Sequence, residues 1–358
     1  MPHLLVDVSH HGYGHISQTA PVVNALAKII PSLRVTLRTT APLAILRQRF
    51  ECDFQHLSLA FDFGMTMANA VDVLVEESAA NYRNFHADWE EKVQREAQAM
   101  QALAPDLLFA NIPYLSLAAA QRAGVPSVGM CSLDWADIYQ HYCMRDETSQ
   151  KIYAQMVAAY NSAQYFLQPQ PSMAMFNFKN TRSIGPIAKV AKNKRAKINA
   201  QLPPAKTERL VLVAMGGMEF RLPMEVWPHI DGVRWLVPAE WGITREDVSA
   251  FDKFGLTFSE VLASCDAVLT KPGYGTFTEA ACAGVPVLYV ARHDWPEEPF
   301  LVAWMLQYSV CLEVSRAELE AGNLDKLLQQ LWAKAKPLIP QATGAHEAAA
   351  YLAGLLPS

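Results

Sequence analysis

Apolar residues fall in short blocks along this chain, each followed by a turn and then by residues at helical spacing. Leu4 to Val8 predicts a buried strand and runs directly into Ser9-His-His-Gly-Tyr-Gly-His15. Val22, Val23, Leu26 and Ile30 then repeat with helical spacing, and Arg34 to Thr39 predicts a second strand. Strand, helix and strand in that order make a parallel βαβ unit. From Asn81 to Ala104 a polar segment rich in Gln, Glu and Ala predicts one long helix, with a strand after it from Asp106 to Ala110. Leu115 to Ala123, the glycine stop at Gly124 and the apolar residues beyond it repeat the pattern.

Lys189 to Lys197 is basic and is followed by Pro203 and Pro204, a composition that suits a solvated connector. Leu210 to Met215 begins afresh as a strand that ends at Gly216-Gly217. Arg234 to Val237 and the segment through Phe258 and Leu262 continue the alternation. Ala267 to Leu269 predicts a buried strand, Lys271-Pro-Gly-Tyr-Gly275 a turn, and a helix starts near Thr276 and stops at Gly284. Val287 to Val290 completes a second βαβ unit, and His346 to Leu356 reads as a terminal helix.

These elements predict an α/β protein with two doubly wound, Rossmann-like domains. The first spans 1–187, a connector 188–208, and the second 209–340, with a C-terminal helix in 341–358 packing back on the first domain. Open parallel sheets bind ligands beyond the carboxyl ends of their strands. The glycine loops Gly12-Tyr13-Gly14 and Gly273-Tyr274-Gly275 both sit at that edge, so a cleft lined by one loop from each domain is expected.

The length of 358 residues supports two cores rather than one. A net charge of -5 gives no global attraction to nucleic acid or to an anionic membrane. Six cysteines without a CxxC pair read as buried free thiols. The start lacks the basic head and apolar segment of a signal peptide, and no run is long enough for a transmembrane helix, so a cytoplasmic protein is expected.

Chemistry concentrates in the second glycine turn. Gly273 and Gly275 let the backbone approach a ligand, and N–H groups at the following helix start favour anions. Glu279 lies one helical turn beyond Thr276, where a carboxylate can accept two hydrogen bonds from a ribose diol. That combination suits a nucleoside diphosphate.

Several separated blocks carry a resemblance. They are His11-Gly-Tyr-Gly-His15, Ser132-Leu-Asp-Trp-Ala-Asp-Ile-Tyr139, Ile184-Gly-Pro-Ile-Ala-Lys-Val190, Gly216-Gly217, Lys271-Pro-Gly-Tyr-Gly-Thr276 with Glu279, and Glu297-Glu-Pro-Phe300. In these the chain resembles the GT-B glycosyltransferases, and most closely the glycosyltransferase-like N-terminal region of plant L-arabinokinases, whose kinase half is absent here. The resemblance implies a GT-B fold and a sugar nucleotide, UDP-linked as first expectation, held mainly by the second domain. It implies Glu279 on the ribose, Gly273, Tyr274, Gly275 and Thr276 near the diphosphate, and Gly216 and Gly217 lining the same phosphate site. It also implies Glu297 and Glu298 near the donor-sugar hydroxyls, where amides and aspartates are commoner.

Glycosyl transfer needs a deprotonated acceptor and charge relief on the departing diphosphate. His15 is the candidate base, or an anion ligand beside a helix start; the competing reading is a helix-end residue. His10 and His11 are weaker candidates. Asp134 is a second candidate base or an orienting group for His15, and Asp137 a lesser one; either can instead cap the helix near Trp135. Lys271 and Arg292 are candidate phosphate partners, with an exposed turn residue and a surface ion pair as the bland readings.

No Asp-x-Asp motif is present, and the histidines at 10, 11 and 15 form no zinc pattern, so neither metal nor cofactor is expected. A nicotinamide dehydrogenase fits poorly, because Ser17 replaces the third glycine and the second strand ends at Arg38-Thr39-Thr40 without an acidic ribose ligand. A nucleotide-sugar epimerase, a hydrolase or a non-catalytic sugar-nucleotide binder on the same fold are the alternatives.

Overall fold

The computed structural model describes residues 1–358 except 12, 69–71, 204–207, 217–220, 293, 336–337 and 358. The chain divides into two compact units. The first comprises Met1–Ile187, Trp295–Glu297 and Thr343–Ser358; the second comprises Ala188–Asp294 and Glu298–Ala342. Residues 295–297 therefore leave the stretch assigned from sequence to the second domain.

Among the described residues, the first unit holds strands β1 (His3–Val8), β2 (Arg34–Arg38), β3 (Gln55–Leu57), β4 (Leu107–Asn111), β5 (Ser127–Met130), β6 (Tyr165–Pro169) and β7 (Thr181–Ile184). They form one parallel sheet in the order β3-β2-β1-β4-β5-β6-β7. Its helices are α1 (Gly14–Ile29), α2 (Leu43–Arg49), α3 (Val75–His86), α4 (Trp89–Leu103), α5 (Tyr114–Ala123), α6 (Trp135–Cys143) and α7 (Glu147–Asn161). All six residues of β1 are buried, as a parallel sheet covered on both faces requires.

The long helix expected from Asn81 to Ala104 is two helices, α3 and α4, separated by Ala87 and Asp88. The Phe85 carbonyl, near the end of α3, receives a hydrogen bond from Lys92 Nζ at 2.8 Å. The turn also lets the His86 ring stack on Trp89, with centroids 4.8 Å apart, and bond Tyr114 Oη at 2.9 Å. A polar sequence pattern cannot display such a break, because both halves remain good helix.

One ionic cluster lies inside this sheet. Arg38, at the end of β2, donates from Nε and Nη2 to the two Asp7 carboxylate oxygens at 2.7 and 2.6 Å, and from Nη1 to Glu96 at 2.5 Å. Arg38 and Asp7 are almost wholly buried. Burial works against the guanidinium charge, but Asp7 and Glu96 outweigh it and raise the Arg38 pKa. The Phe61 ring lies 4.2 Å from the guanidinium carbon.

In the second unit, α8 (Arg195–Asn199) precedes β8 (Arg209–Ala214), β9 (Val233–Val237) and β10 (Val248–Ala250). After them come α9 (Phe258–Leu262), β11 (Ala267–Thr270), α10 (Tyr274–Ala283), β12 (Val287–Val290), α11 (Glu298–Tyr308), β13 (Cys311–Val314), α12 (Arg316–Ala321) and α13 (Asp325–Ala333). The described strands form a second parallel sheet, ordered β10-β9-β8-β11-β12-β13. Its core packs Val211, Val213, Trp235, Leu269 and Leu288 together with Leu328 and Leu331.

The last helix, α14 (Gly344–Ala353), belongs to the first unit and packs on α1. Its start lies against the loop after β7: Gly344 N donates to Pro186 O at 3.1 Å, and Gly185 N donates to Glu347 Oε2 at 3.1 Å. A Cβ on Gly344 would lie 2.0 Å from Gly185 O, so only glycine permits this approach. No described helix is long and apolar enough to cross a membrane.

Candidate functional site

In each sheet the chain adds its first three strands in one direction and then returns to the other side of the first. The reversal lies between β1 and β4 in the first unit and between β8 and β11 in the second. The crevice beyond the carboxyl ends of such a strand pair is the ordinary ligand position of an open α/β sheet.

In the second unit that position gathers the predicted residues. Ala214 pairs with Thr270, and Thr270 Oγ1 donates to Ala214 O at 2.6 Å, tying the two strand ends together. Gly216 follows β8 with φ +89°, a left-handed conformation, and the Lys271 side chain lies over it: a Cβ there would stand 3.2 Å from Lys271 Cε. Gly217 lies outside the described residues. Gly273 caps α10 without a side chain, and the helix begins at Tyr274 rather than near Thr276, which puts Tyr274, Gly275 and Thr276 in its first turn. That turn carries no acidic residue, so partial positive charge from its N–H groups is joined by the Lys271 ammonium. Glu279 follows on α10, buried, with Oε2 accepting from Ser259 Oγ on α9 at 3.0 Å. Arg292 follows β12, and its backbone N–H donates to Glu298 Oε2 at 2.8 Å. The Glu298 carboxylate thus holds the loop leading into α11.

In the first unit Gly12 lies outside the described residues, Tyr13 precedes α1 and is 43% exposed, and Gly14 opens the helix. His15, the second residue of α1, is buried at the reversal point. Its Nδ1 lies 2.9 Å from Asn111 Oδ1, at the end of β4, and 3.6 Å from Cys131 Sγ. Burial pushes the His15 imidazole down to about 4; the Asn111 hydrogen bond opposes this and His10 adds to it. The ring is therefore neutral at pH 7. His11 packs edge-on against Trp135, with centroids 5.1 Å apart.

Asn111, not Asp134, is the side chain that orients His15. Asp134 is fully buried and caps α6, its Oδ1 accepting from Asp137 N at 2.8 Å. Burial first, and the neighbouring Asp137 next, raise its pKa well above the carboxylate range, so it is a poor base at neutral pH. Asp62, which the sequence did not single out, accepts from Trp135 Nε1 at 3.0 Å and is pushed by burial up to about 7.

Glu297 lies in the short segment of the first unit that falls between β12 and β13 in sequence. Its Oε1 accepts from Ser132 Oγ at 2.7 Å and its Oε2 from Trp295 Nε1 at 3.3 Å. Gln18, Asn111 and Ser132, like Asp62, are polar residues that sequence reasoning missed. Gln18 stands three residues beyond His15 on α1, and that helical spacing is the one signal for it.

No protein-family profile matches the chain. It is 22% identical over 355 residues to L-arabinokinase of Arabidopsis thaliana, covering 96% of this chain and 33% of that protein. The chain thus spans about a third of that relative's length. Among solved structures, the calicheamicin glycosyltransferase CalG4 is 18% identical with a TM-score of 0.64, over 99% of this chain and 94% of that one. The glycotransferase of kitacinnamycin is 16% identical with a TM-score of 0.65, over the whole of both chains. Medicago truncatula UGT71G1, solved with UDP-glucose, is 11% identical with a TM-score of 0.58, over 99% and 93%. Two parallel sheets with interleaved helices, similar in structure to those glycosyltransferases over 93–100% of their chains, give this chain the GT-B fold.

Proposed function

We propose that the chain is a glycosyltransferase that moves a sugar from a nucleoside diphosphate sugar, UDP-linked as the first choice, to an acceptor hydroxyl. One observation carries this reading. Gly216, Lys271 and the first turn of α10 converge at the carboxyl ends of adjacent strands β8 and β11, an anion site built from backbone and one ammonium. In the proposal the diphosphate takes that position, Glu279 accepts from the ribose hydroxyls, and Glu298 and Arg292 shape the sugar end. His15 takes the acceptor proton, and leaving-group charge falls on the α10 N–H groups and Lys271.

Incubation with a panel of nucleotide sugars, with and without acceptor alcohols, separates this from its rivals by mass spectrometry. Transfer requires an added acceptor, whereas epimerisation and hydrolysis do not. A panel that binds but never turns over would leave a sugar-nucleotide sensor instead.

Glu279→Ala is expected to weaken donor binding by about 1–3 kcal/mol, the usual value of a charged hydrogen-bond acceptor. Calorimetry with UDP-sugars reads this directly, and an unchanged affinity would remove Glu279 from the site. Excess EDTA is expected to leave turnover nearly unaltered, because the proposed charge relief uses backbone and lysine. A complete loss restored by a divalent cation would show that the diphosphate is stabilised in another way.

A further inference from the structure

We propose that Glu297 is a positioning residue: through Ser132, Gln18 and Asn111 it fixes the direction of a buried hydrogen-bond chain that selects the tautomer of His15. Its catalytic meaning rests on reading His15 as the base.

The chain runs through side chains of the first unit alone. Ser132 Oγ donates to Glu297 Oε1 at 2.7 Å, and Gln18 Nε2 donates to Ser132 Oγ at 2.9 Å. Asn111 Nδ2 donates to Gln18 Oε1 at 3.3 Å, and His15 Nδ1 lies 2.9 Å from Asn111 Oδ1. Exposure is 5% for His15, 2% for Gln18, 0% for Asn111, 1% for Ser132 and 5% for Glu297, so water offers little alternative partnership.

Hydroxyls and amides have no inherent direction in such a chain. A serine can donate either way, and each amide can turn over and exchange its donor for its acceptor. The imidazole can carry its proton on either nitrogen. In the ionised form that the proposal requires, Glu297 only accepts, and the indole N–H of Trp295, which only donates, engages its other oxygen at 3.3 Å. Glu297 is therefore the end of the chain with a fixed sense. Its demand makes Ser132 donate toward it and accept from Gln18. Gln18 then presents Oε1 to Asn111, and Asn111 presents Oδ1 to the ring. His15 must hold its proton on Nδ1, which leaves Nε2 as the basic nitrogen.

The reversed chain would withdraw the Ser132 hydrogen from Glu297 and set two oxygen lone pairs face to face at 2.7 Å. It would also put the His15 proton on Nε2 and remove the base. Turning the Asn111 amide over would satisfy the other tautomer but would also face its Oδ1 toward the His15 carbonyl oxygen, which Nδ2 approaches at 3.5 Å, so this long contact favours the same sense that Glu297 imposes.

Nitrogen-resolved NMR of the histidine rings in the full-length protein tests this, with His15 assigned by its disappearance in His15→Ala. In the unsubstituted protein His15 is expected to show a protonated Nδ1 and a bare Nε2. Glu297→Gln, which keeps the shape but can donate as well as accept, is expected to give a mixture of both tautomers. Ser132→Ala cuts the chain at its second link and is expected to do the same, so the test survives if the Gln variant fails to fold. Glu297→Asp retains an acceptor-only end and is expected to keep more of the Nδ1–H form than Glu297→Gln. A protonated Nε2 in the unsubstituted protein, or an unchanged Nδ1–H form in both Glu297→Gln and Ser132→Ala, would overturn the proposal. No donor or acceptor is present in this measurement. A tautomer that follows Glu297 while His15→Ala keeps full turnover would therefore defeat the base assignment and leave the chain intact.

Discussion

His15→Ala is expected to lower turnover by roughly 10²–10⁴-fold, the usual worth of general acid–base help, while donor affinity changes far less. The asymmetry follows from placement. The proposed donor contacts, Lys271, the first turn of α10 and Glu279, all belong to the second unit, whereas His15 belongs to the first. A residue acting only in the transition state lowers kcat, whereas a ground-state phosphate ligand mainly raises the dissociation constant. The protonation state adds a second readout. Burial holds the imidazole near 4 instead of 6.5, so its basic form is fully present above about pH 5. The acid limb of kcat/KM is then expected near pH 4, and a limb at 6.5 would mean that the ring is solvated in the free enzyme. Full turnover and full affinity in the variant would make His15 a helix-end residue.

Arg38→Ala is expected to destabilise the first unit by about 3–5 kcal/mol, the range for removing one partner from a buried ion pair. The loss comes less from the attraction given up than from what remains. Asp7 keeps a carboxylate inside the sheet with neither of its two guanidinium donors, and Glu96 loses its partner at 2.5 Å. Urea unfolding of the variant reads the shift in midpoint. Replacing Asp7, Arg38 and Glu96 together by apolar residues of similar volume is expected to recover most of the stability, because no orphaned charge is then left. A single variant that unfolds with the parent midpoint would show that water reaches the cluster.

Periodicity and punctuation made much of the fold legible. The apolar run at 4–8 and the turn after it became β1 and the start of α1, and the run at 267–269 became β11. The glycine turn at 273–275 follows β11, beside the reversal point, and α10 starts within a few residues of where the sequence placed it. Side-chain partnerships stayed hidden. Asn111 lies 96 residues from His15, Ser132 lies 114 from Gln18, and Glu297 lies 165 from Ser132. No local pattern connects them, and only the β1–β4 pairing brings the end of β4 beside the start of α1. Asp134 shows the converse difficulty. The sequence offered it both as a base and as a cap of the helix near Trp135, and no local pattern chooses between them; its side chain takes the N-cap of α6. The strands β3 and β10 have three residues each, too short for alternation to register.

The order in which this chain is made differs from the order in which its units can be completed. A ribosome releases all seven described strands of the first sheet well before it reaches Gly344, and until then α1 lacks the helix that packs on it. The second unit has all of its residues once position 342 has emerged, whereas the first still waits for 343–358. Domains ordinarily fold from the N-terminus as they are synthesised; here the earlier-started unit finishes later. A chain stalled or cut near residue 340 would keep every candidate site residue and leave the helix that carries His15 without its cover.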